Sequence, residues 1–227
     1  MQLGTVPYAE GLALQRRVRA ARQADLIPDT ALLLEHAPVY TRGRRTGPGE
    51  LPLGEDFYRA QGIEIVDVDR GGKVTYHGPG QLVAYPIARV ADVLGFVGRL
   101  EEAMVAALAE EGIAARGRAA DGREFTGVWV GERKIGSIGL HVSHGVTTHG
   151  LSLNVDNDLA PFEWIVPCGL SDVAVTSVAR ELGETADARL PCLRKRLGHH
   201  LARALGARQR LVTPARLERA LAAQPVA

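Results

Sequence analysis

The sequence is short of cysteine, lysine, excess charge and long apolar runs, and each shortage closes off a class of protein. Two cysteines in 227 residues, Cys168 and Cys192, are too few for a disulfide-built scaffold. A net charge of +1 leaves no basic excess with which to hold a nucleic-acid backbone. No apolar run approaches the roughly 18–20 residues that span a bilayer. The opening MQLGTVPYAEG lacks the charged-then-apolar pattern of an export leader. The expectation is a cytoplasmic protein with reduced thiols, no membrane association and no nucleic-acid partner. Metal and nucleotide signatures are missing too. His141, His144 and His149 match no zinc spacing, and neither GxxxxGK[ST] nor GxGxxG occurs, so no metal and no cofactor are expected.

What is present is a core. With 46% hydrophobic residues and no repeat or linker, residues 1–227 read as a single domain. Residues 8–24 carry Leu12, Leu14, Val18 and Ala21 on one side of an amphipathic helix. The run 30–36 reads as a buried strand, followed by Pro38 and a basic loop from Arg42 to Arg45. A short helix fits 55–61, and 63–69 alternates as a strand does. Four glycines and a proline crowd 70–80, which demands tight turns and lets backbone approach a ligand. Strand 81–87, helix 96–111 (stopping at Gly112) and strands 127–131, 133–143 and 146–155 come next, then a loop or single turn at 157–164. Helical spacing returns at 176–182, 190–205 and 214–223. Strands and helices do not alternate regularly, so the fold class is α+β: a mixed, largely antiparallel sheet with packed helices.

Two residues stand out chemically. Cys168 sits in VPCGL, where Pro167 stiffens the approach and Gly169 clears space beside the sulfur. Ser171 or Asp172 can cap a following turn, whose helix start favours thiolate. The bland alternative is a buried structural thiol. Cys192, on a leucine-rich helix, reads as core. Lys134 lies in ERKIGSIGL, one of only three lysines with Lys73 and Lys195. It is either a solvent-facing strand end or an amine tuned by burial, a tuning that arginine resists. His77 reads equally as a base, a ligand contact or a turn residue. Thr147 to His149, Ser152 and Asn154 read as the polar face of a half-exposed strand.

In order along the chain, EHAPVYTRGRR (35–45), DRGGKVTYHGPGQLVAYPI (69–87), GVWVGERKIGSIGLHVSHGVTTHGLSLNV (127–155) and FEWIVPCGL with VTSV (162–178) resemble the bacterial octanoyltransferase (LipB) family of lipoate synthesis. The resemblance implies a fold similar to biotin and lipoate protein ligases. It implies transfer of an octanoyl or lipoyl group, through a cysteine thioester, from acyl carrier protein to a lysine of a lipoyl domain. Acceptors in that family are the lipoyl domains of 2-oxoacid dehydrogenase complexes and the glycine cleavage H protein. By position, Cys168 matches the acyl-accepting cysteine, and Lys134 the lysine that lowers its pKa. Substrate binding falls to Arg70, Gly71, Gly72, Lys73, Val74, Thr75, Tyr76 and His77, then to Ser137, Ile138 and Gly139, and to Gly150, Leu151 and Ser152. An ATP-dependent ligase, a cysteine hydrolase and a non-catalytic acyl-binding domain are the competing readings. The VPCGL cysteine and the missing adenylate loop weigh against the first of these.

Overall fold

The computed structural model describes residues 1–166, 173–183 and 190–222. At its centre lie two strands with every residue buried, β6 (Gln81–Ile87) and β10 (Val146–Asn154). Burial on both faces explains why β10 mixes Leu151 and Leu153 with Thr147, Thr148, Ser152 and Asn154. Those polar groups are interior and not the wet side of a half-exposed strand. Around them runs a seven-stranded sheet of order β1-β2-β6-β10-β9-β8-β7. Its other members are β1 (Gln2–Val6), β2 (Thr30–His36), β7 (Arg116–Gly117), β8 (Gly127–Val130) and β9 (Arg133–Ser143). Among the described strands of this sheet, only β1 and β2 pair in parallel. His144 and Gly145 join β9 to β10 with φ of 47° and 72°, the positive values of a two-residue hairpin turn.

Helices cover both faces. On one side α3 (Val93–Ala109) and α6 (Leu190–Ala204) press Leu100, Met104, Leu108, Leu193, Leu197 and Leu201 onto Ala84, Leu151 and Leu153. Each leucine so buried contributes roughly 1.5–3 kcal/mol. On the other side α1 (Tyr8–Gln23) and α7 (Pro214–Ala222) bury Val18, Ala21, Leu217 and Leu221 against Leu32, Leu34 and Val83. The inner stripe of α1 is Tyr8, Gly11, Gln15, Val18 and Ala21, with Leu12 and Leu14 only half-buried. Gln15 faces inward because its amide oxygen accepts the His149 backbone N–H at 2.7 Å. Cys192 is exposed, contrary to its reading as core, because Leu193 takes the buried face of the first turn of α6.

A second sheet of three strands, β4-β3-β5, lies beside the first. It consists of β3 (Val39–Arg42), β4 (Glu64–Asp67) and β5 (Thr75–His77), with α2 (Glu55–Ala60) next to it. Two of its strands fall where the sequence suggested a loop and a run of turns. Arg42 therefore ends a strand, and its guanidinium is held by Asp67 at 2.7 Å and Glu55 at 2.8 Å. Tyr40, Tyr58, Tyr76 and Phe162, the last from the single turn α4 (Ala160–Glu163), form an aromatic core under this sheet. A short helix α5 (Val178–Leu182), capped by Ser177, completes the elements. No helix among the described residues is long and apolar enough to cross a membrane.

Candidate active site

Between the two sheets lies a cavity of about 550 Å³. Its walls include Arg70 to Thr75 and His77 from the glycine-rich segment, Ser137 to Leu140 of β9, His149 to Ser152 of β10, and Lys134. Of the catalytic and binding residues the resemblance implied, all the described ones line it except Tyr76, whereas Thr147, Thr148 and Asn154 do not line it. Alternation along β5 sends Tyr76 the other way, onto Tyr40 and Phe162 at 5.6 Å between ring centres.

Glycine is required where backbones meet at this wall. A Cβ on Gly43 would stand 2.5 Å from the Gly72 carbonyl, and one on Gly150 would stand 2.2 Å from the Ala84 carbonyl. Without side chains there, the loop 43–46 lies flat on 70–72, with Arg44 N–H bonded to the Arg70 carbonyl and Arg45 N–H to that of Gly72. Arg70, 7% exposed, clamps this arrangement by donating to Thr41 O at 2.7 Å and Thr41 Oγ1 at 2.8 Å. Glu50 does the same from below. Its carboxylate takes the Val74 N–H at 3.2 Å and the Lys73 ammonium at 3.0 Å, while its carbonyl takes the Val166 N–H.

Lys134 is 6% exposed, with its amine 5.2 Å above the Trp129 ring. Its backbone N–H donates to Ala174 O at 2.8 Å, and its carbonyl accepts from Thr176 N at 3.0 Å. Cys168, with residues 167–172, lies outside the described residues. One flank of that segment is bonded to the cavity wall, Ala174 and Thr176 to Lys134, and the other to its support, Val166 to the Glu50 that holds Lys73 and Val74.

A buried polar network backs the cavity. Gln81 donates its amide hydrogens to Tyr76 O and Asn154 Oδ1, so its oxygen must accept from His77 Nδ1 at 2.6 Å. His77 Nε2 is therefore an acceptor. Asn154 in turn donates to Thr176 O at 3.0 Å, linking His77 to the strand segment that holds Lys134. His36 donates from Nδ1 to Val6 O and accepts from the Tyr85 hydroxyl at 2.7 Å. His149, in the left-handed region at φ 58°, donates from Nε2 to Asp69 at 2.8 Å. His141 approaches the same carboxylate at 3.5 Å.

All three inner histidines are neutral near pH 7. Burial, helped by the neighbouring His36, lowers His77 to about 3. Burial lowers His36 to about 4 against the opposing bond to Val6, and His149 to about 4 against the pull of Asp69. Burial pushes the Tyr8 phenol up to about 12. The cavity thus offers neutral hydrogen-bonding groups, a buried amine and apolar wall from Val74, Ile138 and Leu151.

Several lining residues escaped the sequence reading. Tyr8 and Tyr85 could have been noticed as polar-tipped aromatics inside apolar elements. Val93, Leu94 and Val97 lie in α3, which starts three residues before the expected Phe96 because Asp92 caps it, accepting from Gly95 N at 3.0 Å.

Residues 7–192 match the family described as lipoyl protein ligase A/B catalytic domain. Over 213 residues the chain is 46% identical to an octanoyltransferase of Thermobifida fusca, covering 89% of this chain and 86% of that one. Over 190 residues it is 51% identical to an octanoyltransferase of Mycobacterium tuberculosis, covering 81% and 77%. The chain belongs to the octanoyltransferase (LipB) branch of this family. It is an acyltransferase of lipoate synthesis. Among solved structures, lipoate-protein ligase A bound with ATP superposes with a TM-score of 0.74 at 18% identity, over 96% of this chain and 91% of that one. A putative lipoate protein ligase of T. acidophilum with bound lipoic acid gives 0.71 at 18% identity, over 97% and 91%. At such identity the likeness establishes the fold: α+β, largely antiparallel and shared with lipoate ligases.

Proposed function

We propose that this octanoyltransferase takes its acyl group from acyl carrier protein and delivers it to a lysine of a lipoyl domain, through a thioester on Cys168. The observation that carries the reading is Lys134, an amine buried in the cavity wall whose backbone bonds to Ala174, six residues beyond Cys168. A buried cation near a thiol favours thiolate, the nucleophilic form. Thiolate attack on the carrier thioester gives a tetrahedral oxyanion, whose collapse breaks the bond to the carrier sulfur; that sulfur leaves as thiol with the Lys134 proton, so octanoyl stays on Cys168 and Lys134 is left neutral. One thioester replaces another, so no ATP enters.

The oxyanion needs backbone donors. Beyond Ser137, β9 has no strand partner on its β8 side, and Gly71 N–H reaches across that edge to the Leu140 carbonyl. Alternation then puts the Ile138 N–H on the same open edge and turns Gly139 towards β10. Ile138 is thus a better donor than Gly139, alongside the backbone at Gly169. In the second half-reaction the acceptor lysine amine attacks the acyl-enzyme, its surplus proton passes to the now neutral Lys134, and collapse breaks the thioester bond and returns Cys168 as thiolate beside the Lys134 ammonium. His149 pairs opposite Leu140, six residues along β9 from Lys134, about 20 Å at strand rise, so it does not share that proton. The lipoyl domains of 2-oxoacid dehydrogenase complexes and the glycine cleavage H protein are the proposed acceptors, and the reaction is cytoplasmic. The apolar wall selects chain length at about 0.8 kcal/mol per buried methylene. The test is transfer of octanoyl from carrier protein to an isolated lipoyl domain without nucleotide. Activity that appears only with ATP overturns the reading in favour of a ligase.

A further inference from the structure

Resting on that reading, we propose that Arg45 and Arg123, with the exposed Leu94, form the receptor for the anionic phosphopantetheine arm of the donor at the cavity rim. All three residues line the cavity yet are exposed, Leu94 by 79%. Two other arginines of these segments are already neutralised, Arg42 by Asp67 and Glu55 and Arg118 by Asp121 and Glu132. Lys73 is engaged by Glu50. Arg45 and Arg123 have no ion pair among the described residues, in a chain whose net charge is only +1.

Both are presented by anchored loops. Arg45 is fixed by its backbone bond to Gly72 and by the close approach at Gly43. The loop of Arg123 is held by buried Glu101, which accepts from Ala119 N at 2.9 Å and Gly127 N at 2.8 Å. Leu94 is held by the Asp92 cap in the first turn of α3, beside Val93. An exposed leucine and two guanidinium groups without an ion pair, lining one cavity with Glu124, suit a ligand that is part hydrocarbon and part phosphate. Guanidinium forks bind phosphate oxygens in pairs. The donor arm carries that phosphate. The acceptor arm is a lysine side chain without phosphate, so the two arginines discriminate among donors and bear on the first half-reaction.

The experiment compares three donors, octanoyl–carrier protein, octanoyl-phosphopantetheine and octanoyl-pantetheine, on wild type, Arg45→Glu and Arg123→Glu. Each charge reversal is expected to lower the ratio of kcat/KM for carrier over pantetheine by about tenfold, chiefly through the carrier KM. Phosphopantetheine should lose more than pantetheine, and the salt sensitivity of the carrier reaction should fall. Equal losses on all three donors, or an unchanged ratio, overturn the rim assignment while leaving the transferase intact. A wild type that transfers from none of the donors overturns the transferase reading itself.

Discussion

Acidification should unfold this protein well before its surface carboxylates are neutralised. His36, His77 and His149 have pKa values near 4, 3 and 4 in the fold, against about 6.5 in an unfolded chain. Because the folded values are lower, the unfolded state binds more protons below about 6.5, so stability is complete above that pH and falls as pH drops towards 4. Between pH 7 and pH 5 each histidine costs about 2 kcal/mol, and the three together about 6 kcal/mol, a large share of the 5–15 kcal/mol that a domain holds. With a urea slope of about 2.5 kcal/mol per molar, the midpoint should fall by about 2 M. The assay is urea unfolding followed by circular dichroism at pH 7, 6 and 5, on wild type and His77→Gln. The variant should lose about a third of the pH slope, whatever its stability at pH 7. A flat midpoint from pH 7 to 5, or an identical slope in the variant, refutes the buried neutral cluster.

Two further outcomes follow from named contacts. Glu101→Ala removes the acceptor of Arg118, Ala119 and Gly127 N–H groups. It should cost about 3 kcal/mol, seen as a fall of roughly 6–12 °C in Tm, and an unchanged Tm contradicts the hub role. Gly43→Ala forces a Cβ to within 2.5 Å of the Gly72 carbonyl and 2.8 Å of the Arg70 guanidinium. The variant should fold with a normal circular dichroism spectrum yet transfer octanoyl more than tenfold more slowly, whereas wild-type rates would mean that the two loops tolerate separation.

The legible part of this molecule was the part with period. Strand 63–69 declared itself by alternation, strands 81–87 and 133–143 as runs bounded by glycine turns, and the main helices by a 3.6-residue stripe. Two strands of the second sheet did not, because β3 and β5 are four and three residues long and sit among glycines and prolines. Gln15 and Glu101 look like ordinary surface residues of amphipathic helices, and only the backbone donors that face them make them interior. Arg42 read as part of a basic loop because its partners, Glu55 and Asp67, are distant in sequence. The glycine-rich segment and the lysine strand were visible as motifs, but not that two sheets close over a shared cavity.

The most direct test of the covalent account is intact mass after incubation with octanoyl–carrier protein, followed by peptide mapping, on wild type, Cys168→Ser and Lys134→Ala. The account predicts a thiol-reversible gain of about 126 Da, one octanoyl group, on the peptide carrying Cys168 of the wild type. It predicts no such gain on Cys168→Ser and a slower one on Lys134→Ala. A wild type that turns over with no adduct, or a Cys168→Ser variant with undiminished transfer, would contradict it.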